Sequence, residues 1–264
     1  MDKRLLYIAE PVQKTEAIAS PAARKSAKVD KRLRMLLSVG VYCVAIPLVI
    51  WLGISLWNDR KYNIVSMMIA FLACVPFFVG FERGKTGTRE LVVIAVMTAI
   101  SVLGRVIFAP IPGFKPVTAI VIITAIAYGA QAGFLTGALS AVVSNIFYGQ
   151  GPWTPFQMFV WGILGFLAGL LFRRGKKPNA VVLTVVGILG GVAFSVMMDV
   201  WSVLSFGDGW SWARYWAAIT TSFPFMIVYA VSNVVFLLFL TKPFLEKLNR
   251  IGIKYNLFGI GEAL

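Results

Sequence analysis

The chain alternates long apolar runs with short polar or basic segments, and most of the runs have membrane-crossing length. A transmembrane helix takes about 20 mainly apolar residues. Met35–Trp57 is the first such run, bounded by the basic stretch Lys25–Arg34 and by Asn58-Asp59-Arg60-Lys61. Asn63–Phe81 is the second and Glu90–Ala109 the third. The third stops at Pro110-Ile111-Pro112-Gly113, where neither proline has an N–H to donate. Val117–Tyr148 reads as one long helix or as two short ones broken at Gly129-Ala130-Gln131-Ala132-Gly133. Pro155–Phe172, Ala180–Leu204 and about Tyr215–Leu240 complete the set, with 145–153 and 205–212 as connecting loops.

Composition agrees with this pattern. Of the 264 residues 59% are hydrophobic and 14% charged, against about 45–50% and about 25% in a soluble domain. The mean hydropathy is +0.82, so a soluble globular enzyme is excluded. No histidine is present, which removes Ser-His-Asp triads, HExxH zinc sites and histidine proton relays. The two cysteines, Cys43 and Cys74, both lie in apolar runs, so neither a disulfide framework nor a CxxC site is expected.

The net charge of +14 would suit a nucleic-acid partner, but the positions of the charges assign it to topology. Lysine and arginine concentrate in cytoplasmic loops. A break near Gln131 gives eight helices with both ends inside. The inside then holds nine Lys/Arg in 1–34, three in 83–89, four in 173–177 and four in 242–254, or 20 of the 25. The outside holds Arg60, Lys61, Lys115 and Arg214, and Arg105 remains within a span. One unbroken helix over 117–148 would place Arg173, Arg174, Lys176 and Lys177 outside, so the two-helix reading is preferred and tilt or bilayer thinning accommodates the short span. The expected fold is an all-α integral membrane protein. A basic cytoplasmic tail (1–34) and a two-helix extension with its linker (35–89) precede a six-helix core (90–241) and a cytoplasmic tail (242–264). The tail is too long and too charged for a signal peptide.

Chemistry is expected in the core. Gly129, Gly133, Gly137 and Ala141 form a small-residue stripe, as do Gly165 with Gly169, Gly187 with Gly191 and Ala95 with Ala99; such stripes let helix backbones approach closely. Two charges lie at depth, Arg105 and Asp199, both near the outer end of their helices. Intramembrane charges are costly and mark function or a buried ion pair; these two would pair directly or bracket a polar ligand. Asn145, Tyr148 and Gln157 fall at the same level, with Trp153, Trp201, Trp210, Trp212 and Trp216 at or beside the outer face. Three outer loops carrying Gly or Pro with aromatics, 110–116, 149–155 and 205–214, would lid a cavity with amide and charged groups at its base. Asn233 reads as an interhelical hydrogen-bonding residue. Gly84-Lys85-Thr86 lacks the upstream glycine and strand of a P-loop, and no catalytic constellation, intrinsic cofactor site or metal cluster is expected.

Residues 90–241 resemble the substrate-binding S components of energy-coupling factor (ECF) vitamin transporters. The residues that carry the resemblance are Ala95-Val-Met-Thr-Ala99, Gly104-Arg105, Pro110-Ile-Pro-Gly-Phe-Lys-Pro116, Tyr128-Gly-Ala-Gln-Ala-Gly133, Gly137-Ala-Leu-Ser140 and Gly149-Gln-Gly-Pro-Trp-Thr-Pro-Phe-Gln157. The resemblance implies a non-enzymatic membrane subunit that captures a vitamin from outside. It would dock on a transmembrane coupling subunit carrying two ATPases and topple to release the ligand inside. It implies Ala95 and Ala99 as docking residues, and Arg105, Asn145, Tyr148, Trp153, Gln157, Asp199, Trp210 and Trp212 as the ligand-facing set. The Gly149–Gln157 segment looks most like components assigned to cobalamin or its precursors, while riboflavin or another aromatic vitamin would suit the same tryptophans. Other readings are an autonomous secondary transporter using Asp199 and a membrane scaffold with a structural Arg105–Asp199 pair.

Overall fold

The structure is a computed structural model. It describes residues 62–82, 88–172, 178–205, 210–255 and 257, together with 36, 40–45 and 48–49. The basic tail 1–34, most of the first apolar run, and the basic segments 83–87 and 173–177 lie outside the described residues. Among the described residues all regular structure is helical, apart from turns and loops. A short π-helical stretch, Val41–Ala45, belongs to the first apolar run. Seven helices follow: α1 (Tyr62–Glu82), α2 (Thr88–Ile107), α3 (Val117–Tyr128), α4 (Ala130–Tyr148), α5 (Thr154–Leu171), α6 (Ala180–Ser205) and α7 (Trp212–Tyr255). Five of them, α2 and α4 to α7, are long and apolar enough to cross a membrane, so this is a multi-pass membrane protein.

The ambiguous run 117–148 is two helices. They break at Gly129, whose φ of 91° is a left-handed conformation that a side chain would strain. The α3 helix is only 12 residues long, about 18 Å at 1.5 Å per residue, too short to cross hydrocarbon about 30 Å thick. No thinning of the bilayer is needed to house it. Val117–Ala125 are all buried, with α4, α5, α7 and α2 packed around the helix, as suits a helix apolar on every side. The loop before it covers the remaining depth. The Lys115 backbone N–H donates to Ser232 Oγ at 2.9 Å, and that hydroxyl donates to the Lys115 carbonyl at 3.0 Å. Ser232 is fully buried well inside α7, so the chain enters α3 from within the bundle.

The glycine stripes lie where backbones cross. On α4, Gly133 faces Gly165 of α5, where an added Cβ would lie 2.9 Å from the Gly165 carbonyl oxygen. Gly137 abuts the backbone of Trp161 and Gly162. Gly191 of α6 abuts the backbone of Ala230 on α7. These contacts make α4 with α5, and α6 with α7, the two tightest pairs, held by van der Waals contact where lipid offers no hydrophobic drive. Between α6 and α7, Asn233 Nδ2 donates to the Gly187 carbonyl at 3.3 Å.

The expected last span, about 215–240, is part of one 44-residue helix containing Pro224 and Pro243. Residues 242–255 therefore continue the helix instead of starting a separate tail. Proline removes one backbone hydrogen bond without ending a helix whose neighbours are already packed. At about 66 Å α7 is longer than the bilayer core is thick, and its Lys247–Lys254 end extends past it. Helix α1 of the extension packs on α5, α4 and α6. Its Phe77 ring stacks on Phe134 of α4 at 3.9 Å and meets Phe166 of α5 edge-on at 5.0 Å.

Candidate functional site

Polar groups gather at the Arg105 end of the bundle. Arg105 stands in the last turn of α2 and reaches across to α4. Its Nη1 donates to Asn145 Oδ1 at 3.0 Å and to Ser144 Oγ. The guanidinium lies 4.5 Å from the centre of the Tyr148 ring and 5.3 Å from that of Trp161, within cation–π range. Tyr148 closes the loop by donating its hydroxyl to the Arg105 carbonyl at 2.9 Å. Asn145 is fully buried, and its amide is fully used: Nδ2 donates to Thr154 Oγ1 at 2.9 Å and to Gln157 Oε1 at 2.8 Å on α5. Thr154 in turn donates to Gln150 Oε1 at 3.0 Å. Arg105, Asn145, Tyr148 and Gln157 of the sequence-derived set thus form one network joining α2, α4 and α5.

The second cation is one that sequence reasoning assigned to topology alone. Lys115 precedes α3, and its ammonium faces three rings: Trp161 at 5.6 Å, Phe194 at 5.2 Å and Tyr229 at 4.9 Å. No described residue accepts a hydrogen bond from Lys115 Nζ or forms an ion pair with it. Lys115 stands in the loop that leads into α3. Trp161 stacks on Phe194 at 5.2 Å and 14°, and Phe194 meets Tyr229 edge-on at 5.2 Å. The Trp161 side chain is fully buried and its Nε1–H has no partner. Trp161, Phe194 and Tyr229 escaped notice because each sits in an apolar run that reads as plain span. The one available signal was a lysine held between Phe114 and Pro116 in a loop of prolines.

Asp199 does not pair with Arg105. Its carboxylate accepts a hydrogen bond from Ser222 Oγ at 2.6 Å, and Ser195 Oγ donates to Ser222 at 3.4 Å. The expectation of a direct pair fails because the guanidinium is taken up by α4 and the carboxylate by α7. Among the described residues no three of His, Cys, Asp and Glu come together.

The loop tryptophans stand apart from this cluster. The Trp153 ring folds back over Gly151 of its own loop. Trp210 and Trp212 are exposed and pack with Tyr215, at 5.0 and 6.2 Å, at the start of α7. Tyr215 anchors that aromatic group by donating to the Val196 carbonyl at 3.2 Å. Ala95 and Ala99 lie on the exposed face of α2 with Leu91, Val92, Val96 and Leu103.

Among the described residues the arrangement brings together two stacked rings, two cations with no carboxylate partner, an indole N–H with no acceptor and a carboxylate–hydroxyl pair. A family model described as "ECF-type riboflavin transporter, S component" matches residues 85–249. No curated protein and no solved structure gives a significant match.

Proposed function

The chain belongs to the ECF-type riboflavin transporter S component family, and from that membership we propose that it captures riboflavin, or a closely related flavin, at the Arg105–Lys115 site for import. The family is one of transporter components, not enzymes. The observation that carries the ligand reading is the Trp161–Phe194 stack flanked by Arg105 and Lys115. A flavin is a flat ring system edged with carbonyl acceptors and bearing a polyhydroxyl chain. Its carbonyls suit the two cations, and its hydroxyls suit the Asp199–Ser222 pair. The corrinoid reading rested on the Gly149–Gln157 segment. In the fold that segment's Gln150 and Thr154 are spent on internal hydrogen bonds and Trp153 packs on its own loop, which leaves less to recognise a bulky corrin. The 20-to-4 distribution of basic residues supports placing the Arg105 end outside and both termini in the cytoplasm.

The test is the absorption spectrum and a titration of the purified full-length protein. Riboflavin should bind in a one-to-one complex with quenching of flavin fluorescence, and protein purified from riboflavin-containing cells should be yellow. A red protein that binds cobalamin and ignores riboflavin would sink the assignment.

Membership of the family brings association with an ECF coupling module. The docking face proposed for the transmembrane coupling subunit, with its two ATPases, is the exposed Ala95–Ala99 side of α2. Among the described residues of the extension, α1 packs away from it, on α5, α4 and α6. Ala95→Trp or Ala99→Trp is expected to abolish co-purification with the coupling module while riboflavin affinity stays within about twofold, because bulk there prevents close helix approach. Normal co-purification of both variants would remove the docking assignment.

A further inference from the structure

At the end of the bundle opposite Arg105, α2 and the last turns of α7 enclose a groove of about 380 Å³ lined by Arg89, Val92, Val93, Val96, Met97, Leu248, Ile251, Tyr255 and Leu257. Its character changes along its length. The mouth holds Arg89, whose guanidinium lies 5.6 Å from the Tyr255 ring centre, and Lys254, whose ammonium lies 5.2 Å from the same ring. The wall is apolar, and the deep end is closed by the buried Met97 and Leu248. From Arg89 to Met97 is eight residues of helix, about 12 Å. We propose that this groove is a binding site for one anionic phospholipid, with its phosphate on Arg89 and Lys254 and an acyl chain laid along Val92, Val96 and Ile251.

Three observations select this occupant. First, neither Arg89 nor Lys254 has a carboxylate or hydrogen-bond acceptor among the described residues; each is recorded only over the Tyr255 ring. Second, the surrounding charge is basic: α2 and α7 carry Arg89, Lys242, Lys247, Arg250 and Lys254 at this end, against Glu90 and Glu246. Basic pockets between helices at a membrane surface attract anionic headgroups. Third, a cationic mouth above an apolar trough is the pattern of an amphiphile. A packing helix would call for small residues, and those of α2, Ala95 and Ala99, lie beside the groove without lining it. The Tyr255 ring stands at the boundary level that aromatic side chains favour.

The groove shares α2 with the Ala95–Ala99 face, so lipid bound there would stand next to any partner docked on that face. The site itself does not depend on the flavin reading. The test is native mass spectrometry of the full-length protein equilibrated with equal amounts of phosphatidylglycerol and phosphatidylcholine of matched chains. Wild type should retain phosphatidylglycerol about tenfold in preference. Arg89→Gln with Lys254→Gln should bring that preference to near unity, and Ile251→Trp should lower retention of both lipids by filling the trough. Circular dichroism and a monodisperse size-exclusion profile of the same variants report that they are folded. Absence of a headgroup preference in wild type, or a preference unchanged in the double glutamine variant, overturns the proposal. So does retention unaffected by Ile251→Trp, and so does protection of the groove by the coupling subunit in place of lipid.

Discussion

Replacing Arg105 with alanine should weaken riboflavin binding about 30- to 100-fold, a loss of roughly 2–3 kcal/mol. The guanidinium makes two kinds of contact at once: hydrogen bonds to Ser144 and Asn145 and face contacts with Tyr148 and Trp161. Removing it takes away a donor that would face a flavin carbonyl. It also leaves Asn145 Oδ1, fully buried, without its partner, at the desolvation cost of an unsatisfied acceptor. Arg105→Lys should rescue poorly, because a point ammonium cannot bridge two acceptors and lie flat on two rings. Lys115→Met should weaken binding too, by about tenfold, since it removes a second cation that has no acceptor among the described residues. Calorimetric or fluorescence titration of folded protein decides; an Arg105→Ala variant with unchanged affinity would return the network to a purely structural role.

Much of this architecture is written in the sequence in a form that bilayer physics makes readable. Apolar runs bounded by Asn58-Asp59-Arg60-Lys61 or by Pro110 and Pro112 mark spans because lipid admits few alternatives. The Gly129 break follows from counting the basic residues that flank it. The stripe through Gly133 and Gly137 announces a close helix crossing, and the structure supplies α5 as its partner.

Other features depended on contacts that no local pattern carries. Lys115 was legible as a charged loop residue, but its depth is fixed by Ser232, 117 residues further along the chain. Trp161 and Phe194 look like ordinary lipid-span residues until their helices are placed side by side. Arg105 and Asp199 stand out in the sequence as charges within apolar runs, yet their partners are hydroxyls, amides and rings, which are too common in the sequence to single out. Trp210 and Trp212 were chosen for their loop, where the fold gives them an exposed cluster of their own. The continuation of α7 through Pro243 was missed for a similar reason: proline stops helices in isolation, and the packing that overrules it here is tertiary.

The second large effect is expected from Gly137, a residue with no functional group. An added Cβ there would collide with the Trp161 carbonyl and the Gly162 nitrogen, so a side chain must push backbone, which cannot rotate away as a flexible side chain would. Overpacking of a filled core costs about 1–3 kcal/mol, and a β-branched residue on backbone belongs at the upper end. Gly137→Val should therefore lower the unfolding midpoint by roughly 6–12 °C. Trp161 is the residue displaced, so riboflavin affinity should fall with it. The matched control is Gly190→Ala on α6. An added Cβ there meets the Thr118 methyl at 3.4 Å, the Asn233 amide at 3.6 Å and Ile122 Cδ1 at 3.8 Å, ordinary contact distances. That variant should keep its midpoint within about 2 °C, because alanine also favours the helix over glycine. Thermal unfolding in detergent, with and without riboflavin, separates the two. If Gly137→Val bound flavin with wild-type affinity, the α4–α5 crossing would not be what holds Trp161 in the site. The binding chemistry would then have to be sought among Arg105, Asn145 and Asp199 alone.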